Sequence, residues 1–193
     1  PLLVGLLALG LLLTGVMLAA LWSAVITLLL MLAPEARLRG MLFWLAGDLG
    51  GSDASGWPLA VLALLLLAAW PLARELNVLL RGSASAQALG VSVVRLRRVV
   101  YLLASLATAV AVTTGGAIGF VGLVVPHALR LVAGNDQRVL LPACALAGGT
   151  LLLLADTLAR TVVAPQQLPV GVITALLGVP TFIALLLHRG GRR

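Results

Sequence analysis

From Leu2 to Ala33 no residue carries a charge. That run decides the solvent before anything else is known about the chain. A transmembrane helix needs about 20 apolar residues, so the run is long enough to cross a bilayer once with residues to spare. The span is placed at roughly 9–32, and 1–8 reads as the tail of something earlier. Five further apolar stretches follow: Trp57 to Ala73, Val99 to Thr114, Ala117 to Ala133, Val139 to Ala159 and Leu168 to Leu187. Composition agrees. Only 10% of residues are charged, against about 25% in a soluble domain, and the mean hydropathy is +1.17. The expected fold class is all-α, a polytopic membrane protein with about six transmembrane helices.

The formal net charge is +7, and every one of the thirteen cations is an arginine. Basic chains can bind nucleic acid, but these arginines stand in short breaks between apolar runs, so they read as topology signals and no nucleic-acid partner is expected. Arg74, Arg81, Arg95, Arg97, Arg98, Arg130, Arg138, Arg189, Arg192 and Arg193 fall on one side, and Arg37, Arg39 and Arg160 on the other. The rule that cytoplasmic loops collect Lys and Arg then puts both ends of the chain and the 74–98 loop in the cytoplasm. The 34–56 segment, the 114–117 turn and the 160–167 segment face out. The absence of lysine also excludes a P-loop, which needs one to reach the β- and γ-phosphates.

Punctuation between the spans has physical causes. Gly50-Gly51 and Gly115-Gly116 permit positive φ at turns. Pro165 and Pro169 flank the start of the last span, where a proline in the first helical turn loses no hydrogen bond, and Gly190-Gly191 ends it. Pro1 opens directly in apolar sequence without a basic n-region, which reads as a fragment or a trimmed chain. Cys144 has no cysteine partner and sits in an apolar run, where a small buried residue is expected and no metal site is.

A few residues stand out against the apolar background. Gly115, Gly119 and Gly122 are spaced by four and three, and Gly115–Gly119 is a G-x-x-x-G pair that would let another helix approach closely. Pro126 removes a helical hydrogen bond, so the segment reads either as ordinary packing around a proline or as a hinge. His127 lacks a visible partner ligand and is expected to be a hydrogen-bonded structural residue, and Arg130 to snorkel to the interface. Asp156 is the only acid within an expected span. Arg160, four residues on, shares its helix face, so the two are expected to pair, and Arg160 can also be offered to an acidic partner outside.

In the 77–98 loop, Ser83 or Ser85 can cap a short helix that Gly90 ends, and Ser92 can open a second. Two such helices could dock into a groove on a soluble subunit; a solvated basic loop is the plainer alternative. Ser105 and His127 are the nearest approach to a nucleophile–base pair, at no recognisable spacing, so no catalytic residue is assigned. An ion-coupled carrier would be expected to show ionisable residues near mid-span or paired repeats of broken helices. Only Asp156 and His127 qualify, and no inverted repeat is evident.

Three stretches carry a family likeness. They run from Gly119-Phe120-Val121-Gly122 through Pro126-His127-Ala128-Leu129-Arg130, from Arg138 through Pro142 and on over Leu154 to Arg160, and from Leu168-Pro169-Val170-Gly171 to Gly178-Val179-Pro180. Over about residues 9–188 the chain resembles the permease subunits of bacterial ABC importers for iron chelates (siderophores, haem) and cobalamin. The resemblance implies a ten-helix permease of which this chain matches the C-terminal six, so that 1–193 is one transmembrane permease domain, incomplete at its N-terminus, with 77–98 as a cytoplasmic coupling loop. It implies a homodimer with a second permease copy, cytoplasmic ATP-binding subunits, and a periplasmic or lipid-anchored solute-binding protein, in the bacterial inner membrane. No cofactor and no enzymatic activity are implied; ATP would be hydrolysed on a separate subunit.

By the same resemblance Ser83, Ser85, Ala86, Gln87, Ala88, Leu89 and Gly90 would couple to the ATPase, and Arg160 would meet a glutamate on the binding protein. Gly115, Gly119, Gly122, Pro126, His127 and Arg130 would serve helix packing and bending. Thr14, Ser23 and Thr27 on the first helix would line a central cavity worked by alternating access. An iron chelate is the favoured cargo on family breadth, with cobalamin as the alternative.

Overall fold

A computed structural model describes residues 2–50 and 56–190, with the side chains of 2–8, 185, 186 and 188–190 left aside. Gly51, Arg192 and Arg193 therefore lie outside the described residues, as does the second glycine of the Gly190-Gly191 stop. The helices are α1 (Leu2–Leu32), α2 (Glu35–Leu45), α3 (Trp57–Ala69), α4 (Ala73–Leu79), α5 (Ser83–Ala88), α6 (Val93–Gly115), α7 (Val121–Ala133), α8 (Gln137–Thr161) and α9 (Val170–Gly190), with a 3₁₀ turn at Trp70–Leu72. No strand forms among the described residues. The chain divides into two compact units, residues 1–42 and 43–193.

Among the described residues, four stretches are long and apolar enough to cross a membrane: Leu9–Leu32, Trp57–Leu79, Val93–Gly115 and Gln137–Thr161. Two shorter apolar helices, Val121–Ala133 and Val170–Ala184, occupy the fourth and sixth expected positions. The expected Ala117–Ala133 span loses its first turn because Phe120, at φ 66°, is left-handed, so α7 starts at Val121. The last helix begins at Val170, after Pro169, and not at Leu168.

Two boundaries move the other way. The third span starts at Val93, six residues before the expected Val99, because Arg95, Arg97 and Arg98 are helical. Arginine is a good helix former, and a long side chain at a helix end can carry its charge to the interface. The expected break at 34–56 contains α2, an eleven-residue helix with Glu35 in its first turn, where a negative charge is favoured.

Within residues 43–193 the core is thin and mostly alanine, glycine and valine, with Leu96 and Leu140 the buried leucines among the described residues. Ala155, Ala159 and Val170 are buried, as are Gly148 and Gly178, while Leu146, Leu153 and Leu176 are exposed. In lipid, a leucine gains little by leaving the tails for another helix, whereas small residues let backbones approach. The α7, α8 and α9 helices contact one another pairwise. They enclose a cavity of about 160 Å³ whose lining includes Phe120, Val124, Leu151, Ala155, Thr174 and Gly178. The Thr174 hydroxyl donates back to the Gly171 carbonyl at 3.0 Å, so the cavity wall stays apolar.

Candidate docking and coupling surfaces

One end of residues 43–193 is joined by backbone. Gly47 (φ 84°) and Gly116 (φ 70°) hold left-handed positions. Asp48 N donates to the Gly115 carbonyl at 3.0 Å, and Gly171 N to the Gly47 carbonyl at 3.4 Å. A Cβ at Gly116 would run into the Trp44 carbonyl, one at Gly171 into the Ala46 carbonyl, and one at Gly178 into the Phe120 side chain. The positive-φ turn expected at Gly115-Gly116 forms at Gly116, a further left-handed glycine stands at Gly47, and Gly51 of the expected Gly50-Gly51 turn lies outside the described residues. Gly115 is the last helical residue of α6, and Gly50 is not among the positive-φ glycines.

The G-x-x-x-G reading of Gly115 and Gly119 is corrected by the same loop. The two glycines do not share a helix, since α6 ends at Gly115 and α7 begins at Val121. Gly119 and Gly122 have open space where a Cβ would stand, so no element among the described residues packs closely on them. Pro126 lies inside α7, next to the buried Val125. His127 is half-buried, but its Nε2 is buried without a hydrogen-bond partner among the described residues, contrary to the expected hydrogen-bonded role. Its ring instead meets Phe182 edge-on, with centroids 6.2 Å apart. Arg130 is exposed in the last turn of α7, and Cys144 is half-buried, not fully enclosed.

At this end the Arg160 Nε donates to the Asp156 Oδ2 at 2.8 Å, and the Arg160 side chain remains 43% exposed. Asp48 Oδ1 accepts from Gly50 N at 2.8 Å. A Cβ at Gly50 would lie 3.1 Å from Asp48 Oδ1, 3.6 Å from Arg160 Nη2 and 3.8 Å from Gln167 Oε1, so the three polar groups converge on a bare glycine. Sequence reasoning found the i,i+4 pair; Asp48 and Gln167 are too distant along the chain to signal that they join it.

The opposite end is built differently. Gly82, at φ 109°, and Gly90, at φ 82°, bracket α5. Gly82 is the N-cap, and neither Ser83 nor Ser85 makes a side-chain cap, which corrects the expected capping role. Ser92 opens α6 itself, not a second short helix, and likewise makes no side-chain cap. Ala86 is the one buried residue of α5; it faces a patch where α4, α5 and α6 meet and where Ala73, Val93 and Leu96 are also buried. One methyl contributes only about 0.8 kcal/mol of burial, so α5 is lightly held. Ser83, Ser85, Gln87, Ala88, Leu89 and Gly90 are all exposed, Leu89 at 66%.

The α7–α8 turn is tied to α4 by side chains. Asn77 Oδ1 accepts from Gln137 N at 2.8 Å, and Asn77 Nδ2 donates to Asp136 Oδ1 at 2.6 Å. Asp136 Oδ1 also accepts from Arg138 N at 2.9 Å, which makes Asp136 the N-cap of α8. These bonds, with the charge of Arg138, hold the Asp136 carboxyl below the usual aspartate value. Asn77 was expected to start a loop; it sits in α4 and caps a helix 60 positions away. No local pattern in the sequence announces that role.

In residues 1–42, Thr14 and Thr27 stand on α1 with their hydroxyls returned to the Gly10 and Ser23 carbonyls at 2.8 and 2.9 Å. The helix therefore offers an apolar surface at those positions rather than free hydroxyl donors.

Apolar helices with small-residue contacts, a lightly held helix at one end and an exposed charged corner at the other are the build of a multi-pass membrane protein. The chain belongs to the FecCD transport family, whose family model matches residues 5–188. It is 48% identical over 183 residues to the cobalamin import system permease protein BtuC of Halobacterium salinarum, covering 93% of this chain and 48% of that protein. It is 44% identical over 181 residues to the vitamin B12 import system permease protein BtuC of Escherichia coli, covering 93% of this chain and 56% of that one. A solved structure described as a metal-chelate type ABC transporter in an inward-facing conformation superposes with a TM-score of 0.80 at 33% identity, over 90% of this chain and 57% of the other. The chain spans about half the length of the curated relatives it matches. Membership places it in a transport family and not among enzymes.

Proposed function

We propose that this chain is the C-terminal part of a permease subunit in an ATP-driven ABC importer, acting as one transmembrane permease domain within residues 1–193, and that its cargo is cobalamin. The observation that carries the reading is likeness along nearly the whole chain to two permeases named for cobalamin or vitamin B12, from organisms as different as Halobacterium salinarum and Escherichia coli. The iron-chelate cargo favoured from sequence gives way on that ground, and remains the second reading because the superposed transporter is of metal-chelate type.

In this reading the permease is a homodimer in the inner membrane, with both ends of the chain cytoplasmic. Ser83 to Gly90 form the coupling surface: α5 presents a small, polar face and its C-cap Leu89 an exposed apolar side chain, which suits a helix laid in a groove of an ATP-binding subunit. The light attachment through Ala86 lets that helix follow its partner. Arg160, paired with Asp156 but still accessible, meets a carboxylate on a solute-binding protein, which favours encounter and orientation more than affinity. Thr14, Ser23 and Thr27 line the pathway; with the Thr14 and Thr27 hydroxyls engaged by backbone, the wall passes a large ligand without binding it tightly. ATP closes the soluble subunits, the coupling helices transmit the closure, and the cavity between protomers changes its open side.

The test is uptake into proteoliposomes holding the full-length permease with its ATP-binding subunit and binding protein, with labelled cobalamin, ferric siderophore and haem in competition. ATP-dependent uptake of cobalamin is expected. Uptake of a ferric siderophore instead would shift the cargo and keep the class. Transport that persists without ATP would remove the class as well.

A further inference from the structure

Trp70, Pro71, Arg74 and Arg138 line a cleft of about 470 Å³ at the end of residues 43–193 that also carries α4 and the start of α8. Both arginines are exposed. Arg138 feels the Asp136 charge, yet neither guanidinium makes a hydrogen bond or ion pair among the described residues. Two unpaired cations sharing one cleft repel each other, an arrangement that an anion between them would relieve. Their spacing is built. Arg74 is on α4, three residues before Asn77, and Asn77 binds the backbone of Gln137, the residue next to Arg138. The Asn77–Asp136 bond closes the same tie.

The surroundings select the kind of anion. Arg74 stands in the last third of the Trp57–Leu79 stretch, past the 3₁₀ turn at Trp70–Leu72, and Arg138 is at the start of the Gln137–Thr161 stretch, which puts the two guanidiniums near the level expected of lipid headgroups. Trp70 is half exposed in the 3₁₀ turn, as aromatic residues are at membrane interfaces. On α3, the helix leading to the cleft, Leu64 and Leu67 are 65% and 69% exposed, an apolar track beside a basic pocket. A free phosphate uses the arginines and leaves that track idle; a phospholipid uses both. Basic pockets between transmembrane helices are a recognised setting for anionic headgroups, and a guanidinium fork matches phosphate geometry.

We propose that the Trp70–Pro71–Arg74–Arg138 cleft binds the phosphodiester headgroup of an anionic phospholipid, with its acyl chains along α3. The site does not depend on the cargo.

The experiment is native mass spectrometry of the full-length permease in detergent, titrated with phosphatidylglycerol or phosphatidylcholine. Arg74→Gln with Arg138→Gln is compared with Arg81→Gln, an exposed arginine of the same loop that does not line the cleft. Retention of phosphatidylglycerol should weaken roughly tenfold in the double variant, stay unchanged in Arg81→Gln, and resist millimolar inorganic phosphate. Phosphatidylcholine should show no such dependence. Unchanged phosphatidylglycerol retention in the double variant overturns the proposal. So does full displacement by inorganic phosphate, which would make the cleft a site for a free anion. Loss of a co-purifying soluble subunit with lipid retention intact would make it a protein-docking site and overturn it equally. Should the double glutamine variant not fold, the single variants decide, read beside Arg74→Lys with Arg138→Lys, which keeps the charge: reduced retention in the singles with near-normal retention in the lysine pair is expected, and no reduction in either single variant sinks the idea.

Discussion

The two ends of residues 43–193 solve opposite problems. At the Gly47–Gly116–Gly171 end, backbones come so close that a single Cβ at Gly116 or Gly171 would strike a carbonyl. At the α5 end, Ala86 is the one side chain of α5 that is buried, beside Ala73, Val93 and Leu96, while Asn77 ties α4 to the start of α8, and most of α5 is left uncovered. Backbone against backbone gives a joint with almost no adjustable degrees of freedom, because it contains no rotamers to change. A helix attached by one small side chain can tilt without breaking a packed core. A fixed joint and a compliant one thus stand at opposite ends of the same helices.

The sharpest way to break that contrast is at the fixed joint. Gly171→Ala and Gly116→Ala should each cost about 3 kcal/mol, since the neighbour is backbone and cannot rotate away, with positive φ adding strain at Gly116. Thermal unfolding in detergent measures this, and Gly122→Ala, where a Cβ meets open space, is the control expected to be nearly silent. Equal melting of all three would remove the distinction between the ends.

A smaller effect is expected at the compliant end. Asn77→Ala leaves Gln137 N without its partner and should cost about 1 kcal/mol, the usual worth of a helix cap. Leu89→Ala should leave the melting temperature unchanged, because the side chain is exposed, while weakening retention of the ATP-binding subunit several-fold in a pull-down. A fall in melting temperature there would mean that α5 is packed and not offered.

Arg160→Gln sharpens the comparison in function. An exposed ion pair contributes little to folding, so melting should not change. Association with the binding protein should slow by about tenfold at low salt, and the deficit should shrink as salt rises. Stopped-flow association at two ionic strengths reads it.

The least effect is in acid. Asp136 is held below the ordinary value of 3.8 by the Arg138 amide and Asn77. Its contribution is therefore complete at pH values above about 3.8 and is lost as pH falls through the lower folded value. The difference in melting between the native chain and Asp136→Asn should stay constant from neutral pH into mild acid and narrow only in strong acid. A difference that narrows near pH 6 would contradict that ordering.

Much of this was legible along the chain. Apolar runs announced membrane helices because the bilayer demands length and hydrophobicity, which are sums over local residues. The Asp156–Arg160 pair was legible because helical periodicity puts i and i+4 on one face. The ordered stretch around Pro126 and His127 pointed to the family, which matches residues 5–188. The early start of α6 was missed because three arginines look like a break by composition, while a helix can extend into the interface and carry them.

What only the tertiary structure decided are the contacts between residues far apart in sequence. Gly115 and Gly119 make a plausible helix-packing motif until Phe120 turns left-handed and separates them from a common helix. Asn77 looks like an ordinary loop residue until the fold brings it to the bare N–H groups of α8. Gly171 is needed because the carbonyl of Ala46, 125 positions earlier, stands where its side chain would be. The sequence determined the solvent, the helices and the family, because those depend on local hydrophobicity, periodicity and ordered motifs. It did not determine which end is rigid and which is free, because that rests on how closely distant backbones approach, and no local pattern encodes a distance between strangers.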